Sequence, residues 1–166
     1  MKTLYILRHA KSYWGDAGLS DYERPLNKRG KAAAPLMGEL MKNKGFQPNA
    51  IISSPAVRAK QTAELVRGAA ELKGAINFDS RIYEAGVQTL LQIVGEIEDA
   101  HDSAMIVGHN PGLEGLVKIL TGESQPMPTA ALAIADLDID CWNQIISATG
   151  ELRGLFRPKE VGETKN

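Results

Sequence analysis

Two of the three histidines in the chain, His9 and His109, each follow a short apolar run with one residue between: Thr3 to Leu7 and Ala104 to Val107. Such runs read as buried strands. In an open α/β sheet, ligands bind in the crevice beyond the carboxyl ends of the strands, so both imidazoles are expected in one crevice. A third apolar run, Ala50 to Ile52, leads into Ser53-Ser54-Pro55 and a helix whose first turn carries Arg58. Serine before proline reads as a helix cap with proline at the first helical position. A helix start offers free backbone N–H groups and a positive dipole end, which suit an anion. Arg8 and Arg58 add two planar forks that match phosphate oxygens. The net charge is −1, so the cationic crevice is local, and the chain carries no broad electrostatic footprint for nucleic acid or an anionic membrane.

Taken singly, each residue has a plainer reading. A histidine after a strand is commonly a satisfied structural residue, and an arginine in a first helical turn is commonly solvated and opposes the helix dipole. Convergence at three strand ends is what favours function. Two histidines could also begin a metal site, but zinc takes three or four protein ligands, and adjacent arginines would repel a cation. No metal and no cofactor are therefore expected. No G-x-S-x-G elbow and no P-loop occur. The one cysteine, Cys141, can form no internal disulfide, which suits a reducing compartment. His101, in the polar stretch Glu98 to Asp102, reads as a surface residue.

The elements that must hold these groups alternate short apolar runs with helical patterns, a layered α/β arrangement. Asn27 can cap a helix over 28–44 that Gly45 closes, with Pro35 expected to kink it or delay its start. The Ser54-Pro55 helix runs to about Val66 or beyond, and a weaker strand lies near Ala75 to Phe78. Gln88 to Glu98 reads as helix, and another helix follows Pro111 to about Leu120. Ala130 to Leu137 and Trp142 to Ser147 read as two strands of a hairpin joined by Asp138-Ile139-Asp140. The early crossovers imply a mainly parallel sheet with helices on both faces. One domain over 1–160 and a frayed tail over 161–166 are expected.

Arg8-His9-Ala10 resembles the signature of the histidine phosphatase, or phosphoglycerate mutase-like, superfamily, whose usual form ends in glycine. Asp21-x-x-Arg24-Pro25-Leu26-x-x-x-Gly30 and Ser53-Ser54-Pro55-x-x-Arg58-Ala59-x-Gln61-Thr62 are similar to its next landmarks. Val107-Gly108-His109-Asn110-Pro111 is similar to its late histidine segment. The pieces occur in family order, and Leu7-Arg8-His9-Ala10-Lys11-Ser12 in so short a chain most resembles the SixA-type phosphohistidine phosphatases. The resemblance implies a three-layer α/β/α sandwich and a metal-independent phosphatase. His9 would be the nucleophile, with Arg8, Arg58 and His109 on the phosphoryl oxygens. It points to Glu84, in Arg81-Ile82-Tyr83-Glu84-Ala85-Gly86, as the proton donor; the plainer reading is a surface carboxylate paired with Arg81. Ser12 and backbone near Asn110 are candidate substrate-binding groups, and Arg24 is expected to pair with Asp21. An alanine at position 10 would be strained if the turn needed φ > 0.

About two dozen residues separate Arg58 from Glu84, too few for a large lid domain. The expected substrate is phosphohistidine on a protein, a histidine-phosphotransfer domain being one candidate partner. A small phosphate ester is the alternative, and a non-catalytic phosphoprotein-binding module a more distant one. Tyr13 and Trp14 could line the entrance. The first apolar run is too short for a signal-peptide core, and no stretch approaches a membrane span. A soluble, cytoplasmic monomer or weak dimer without nucleic-acid or membrane partners is expected.

Overall fold

The computed structural model describes residues 1–147 and 150–164. The elements run β1 Lys2–Arg8, α1 Lys28–Lys44, β2 Ala50–Ser53, α2 Val57–Ala70, β3 Ile76–Phe78, α3 Val87–Gly95, β4 Ser103–Gly108, α4 Gly112–Thr121, β5 Leu132–Leu137, β6 Gly150–Phe156 and α5 Pro158–Thr164. They build one six-stranded sheet in the order β3-β2-β4-β1-β5-β6. Strands β3, β2, β4 and β1 pair in parallel, while β5 and β6 are antiparallel. No described helix is long and apolar enough to cross a membrane.

Period-two alternation splits the core into two layers. Leu4 and Ile6 of β1 face Leu90, Val94, Leu113, Leu116 and Val117 of α3 and α4. Tyr5 and Leu7 face Ala34, Met37, Ala59, Ala63 and Val66 of α1 and α2. This is the three-layer α/β/α sandwich, with a mainly parallel central sheet and no large lid domain.

Helix α1 has the expected bounds. The Asn27 side chain accepts from Gly30 N–H, and Gly45 closes the helix at φ 71°. Pro35 neither delays nor ends it; the helix runs on from Lys28 to Lys44 around the proline. Gly30 is required by packing, because a Cβ there would lie 2.2 Å from the Lys11 carbonyl oxygen. That contact presses the start of α1 onto the loop that leaves β1.

Two further expectations about the elements fail. Trp142 to Ser147 is a 3-10 turn, and β5 pairs instead with Gly150–Phe156. The buried Trp142 docks its backbone N–H on Asp99 Oδ1 and its indole N–H on the His101 carbonyl, which bends this apolar run away from the sheet. Ser54-Pro55 does not cap the helix; α2 begins two residues later, at Val57 behind Ala56, without a side-chain cap. Helix α5 buries Val161 in the core layer beneath α1. Residues 165–166 lie outside the described part. His101 is half-buried, and its carbonyl also accepts from the buried Lys2 ammonium.

Candidate active site

The strands β1, β4 and β2 end side by side, Arg8 opposite Gly108 and Ser53 opposite Val107. The chain leaves β1 at His9, whose N–H donates to the Gly108 carbonyl and whose carbonyl accepts from Ala130 N–H. These two bonds lock the histidine across the top of the sheet. Its residue exposure is 7%, and Nδ1 lies 2.7 Å from the Ala10 carbonyl oxygen. A carbonyl can only accept, so Nδ1 carries the proton and Nε2 keeps its lone pair. Burial, reinforced by coupling to His109 and by the positive charges of Arg58 and Arg8, pushes the His9 pKa down to about 3. The ring is neutral at physiological pH.

Ala10 fits without strain. Its N–H donates to Thr62 Oγ1 at 2.9 Å, and the non-glycine residues with positive φ in the described chain are Glu71, Glu84 and Ala130.

The His109 ring lies 5.1 Å from His9, centroid to centroid. Its Nε2 is 2.8 Å from Ser54 Oγ. That hydroxyl already accepts from Ala56 N–H, so its own hydrogen is free to point at Nε2. The neutral ring then holds its proton on Nδ1. Burial and the Arg58 charge lower the His109 pKa to about 4. Tyr83 packs edge-on against His109 at 5.6 Å. Gly112 permits this neighbourhood, since a Cβ there would lie 2.5 Å from the Ala85 carbonyl oxygen.

Arg8 donates from Nη1 to the Met127 carbonyl. Arg58 donates from Nη1 to the Asp21 carbonyl at 2.6 Å and from Nη2 to Asp21 Oδ2 at 3.0 Å. Among the described residues, three buried side-chain polar atoms have no hydrogen-bond partner: Arg8 Nε, Arg58 Nε and His109 Nδ1. All three belong to residues whose charge or ring bears on His9.

The start of α2 offers less to an anion than its sequence suggests. Ala56 N–H is spent on Ser54 Oγ and Val57 N–H on the Tyr22 carbonyl. Asn110 is likewise committed: its amide donates to Glu114 and the Met127 carbonyl, and its Oδ1 accepts from Glu114 N–H. Only its backbone is left for a ligand. Ser12 is buried and accepts from Arg24, which also forks onto Asp21 as expected. Trp14 is 75% exposed and lies over the Arg24 guanidinium.

Glu84 is exposed, at φ 58°. It follows a 3-10 turn over Ser80–Ile82. Arg81 does not pair with it, being held by Asp79 and Glu96.

Sequence reading passed over Tyr83 and Glu114 and tied Asp21 to Arg24 alone. Tyr83 carried no signal of its own. Glu114 stands four residues after Asn110, a spacing that joins side chains on a helix, and its carboxylate clamps Asn110 and Met127 N–H beside Arg8. No group of three or more His, Cys, Asp or Glu that could hold a metal ion occurs among the described residues.

The family model of the histidine phosphatase superfamily (branch 1) matches residues 4–91. The chain belongs to this superfamily. It is 30% identical to the phosphohistidine phosphatase SixA of Escherichia coli over 82% of this chain and 85% of that protein. A candidate phosphohistidine phosphatase SixA from Agrobacterium tumefaciens has the same fold, with TM-score 0.82 and 29% identity over 95% of this chain and 98% of that one. A protein histidine phosphatase SixA solved with tungstate matches with TM-score 0.79 and 25% identity, over 96% and 99% of the two chains. The histidine phosphatase superfamily is a phosphatase family, and this chain shares its fold.

Proposed function

We propose that this histidine phosphatase hydrolyses phosphohistidine on a protein, without a metal, through a phosphohistidine formed on its own His9. The observation that carries the reading is the set of unpartnered donors on Arg8, Arg58 and His109 beside a neutral, tautomer-fixed His9. A buried donor without an acceptor costs about 1–3 kcal/mol. We read these donors as ligands of a tetrahedral oxyanion, and the SixA relative was solved with tungstate, an ion of that shape.

His9 Nε2 attacks phosphorus in line with the leaving group. The Nε2–P bond forms as the bond from phosphorus to the substrate imidazole breaks, and Glu84 supplies the proton that the leaving nitrogen takes up. Arg8, Arg58 and His109 offset charge on the three equatorial oxygens. Water then attacks phosphorus, losing its proton to Glu84, and the P–Nε2 bond breaks to release inorganic phosphate and restore His9. The described elements include no large lid domain, which suits a substrate side chain on a second protein, a histidine-phosphotransfer domain being one candidate.

The test is a trapping experiment with a labelled phosphodonor, quenched and mapped. Acid-labile label on His9, absent from His9→Ala and slower to appear in Glu84→Gln, is the expected result. Stable label on a serine would overturn it. Faster turnover of sugar phosphates than of a phosphohistidine protein would overturn the substrate class.

A further inference from the structure

Asp21 is the least expected group near this site, because a carboxylate beside an anion pocket opposes the anion by Coulomb's law. We propose that Asp21 is a positioning residue that sets the orientation of the Arg58 guanidinium for the phosphoryl group. The proposal rests on the phosphate-binding reading of the site and names the residue that organises it.

Three side chains from separate parts of the chain converge on this one carboxylate. Oδ1 accepts from Arg24, with Nε at 3.2 Å and Nη2 at 2.7 Å. Oδ2 accepts from Arg58 Nη2 at 3.0 Å and from the Tyr83 hydroxyl at 2.6 Å. The Asp21 backbone carbonyl takes Arg58 Nη1 at 2.6 Å. Both terminal nitrogens of Arg58 are therefore held by a single residue, while its Nε stays buried without a partner.

A free arginine side chain loses rotamer freedom when it is fixed. Asp21 fixes it before the ligand arrives, which is the condition for a preorganised site. The same carboxylate anchors Tyr83, whose ring stands edge-on to His109. Asp21 thereby holds two sides of the pocket while remaining half-exposed itself.

Removing this charge has two effects of opposite sign on anion affinity. Electrostatics alone predicts tighter phosphate binding in Asp21→Asn, because a negative charge has gone. Positioning predicts weaker binding, because the asparagine amide would set a donor against donors. Titration of the whole protein with inorganic phosphate separates them.

The expected result is a Kd raised about tenfold in Asp21→Asn. In an Arg58→Lys background, which has already lost the fork, the same change should move Kd by less than about twofold. Equal or tighter binding in Asp21→Asn, or full additivity with Arg58→Lys, would overturn the proposal. Should Asp21→Asn fail to fold by circular dichroism, Tyr83→Phe carries the test. It removes one hydroxyl from the carboxylate, and weaker phosphate binding supports the role while unchanged binding rejects it. Wild-type protein that binds no phosphate would instead sink the reading of the site itself.

Discussion

At the scale of single residues, the unusual property is a pair of histidines kept neutral among arginines. Burial is the main cause for both, and neighbouring positive charge adds to it. Their pKa values of about 3 and about 4 lie below the usual 6.5. Neither ring should therefore titrate between pH 8 and pH 5, as read from imidazole carbon shifts by NMR. A midpoint near 6.5 for either ring would contradict the burial argument. The linkage has a definite sign. Above about pH 6.5 folded and unfolded forms are both neutral and stability is full. As pH falls, the unfolded chain takes up protons that the folded one refuses, so stability declines toward pH 4 and 3. Urea midpoints at pH 7 and pH 4.5 should show that fall, and His9→Ala should reduce it.

At the scale of elements, the loop from Lys11 to Leu26 is held by the start of α1. Asn27 N–H donates to the Lys11 carbonyl, and Gly30 leaves room for it. Gly30→Ala would place a methyl against that carbonyl, a clash with backbone that flexible side chains cannot absorb. The expected cost is about 1–3 kcal/mol in denaturant unfolding, with weaker phosphate binding because Asp21 lies in the displaced loop. An unaltered unfolding midpoint would show that the loop gives way freely.

Helix α1 was legible because its start and stop signals are local: Asn27 caps the first turn and Gly45 adopts the left-handed conformation. The closing hairpin was not. Trp142 to Ser147 has the composition of a strand, but six residues fit either state. What decides is the partner strand. Gly150 starts β6 where a Cβ would lie 2.8 Å from Leu137 Cδ2 and 3.0 Å from the Asp136 carbonyl oxygen. A glycine leaves room opposite that end of β5, and no sequence period reports this.

At the scale of the whole molecule, the site joins the tops of β1, β4 and β2 to the loops that follow them, so a bound anion should brace the fold. Phosphate at 100 times its Kd should stabilise the protein by about 2.7 kcal/mol, seen as a rise in Tm that His9→Ala reduces and Arg58→Ala abolishes. No such rise would mean that the unpartnered donors do not bind phosphate. Hydrolysis should also persist in chelator, since Arg8 and Arg58 supply the positive charge a metal would otherwise bring; loss of activity there would restore a metal-dependent route.

The sequence by itself determined which strand ends bring the candidate groups together. Arg8 and His9 follow one apolar run, His109 follows a second, and Arg58 opens the helix after a third; in a parallel sheet those runs end together. It also determined the two core layers, through alternation along β1. Only the tertiary structure decided how these groups are held. The tautomer of His9 depends on the Ala10 carbonyl, and the orientation of Arg58 on Asp21, 37 residues away. Glu84 stands in the left-handed region after a turn that no strand pattern describes. Hydrogen bonds between distant segments leave no period in the sequence, whereas strand burial does, and that difference separates what could be read from what had to be seen.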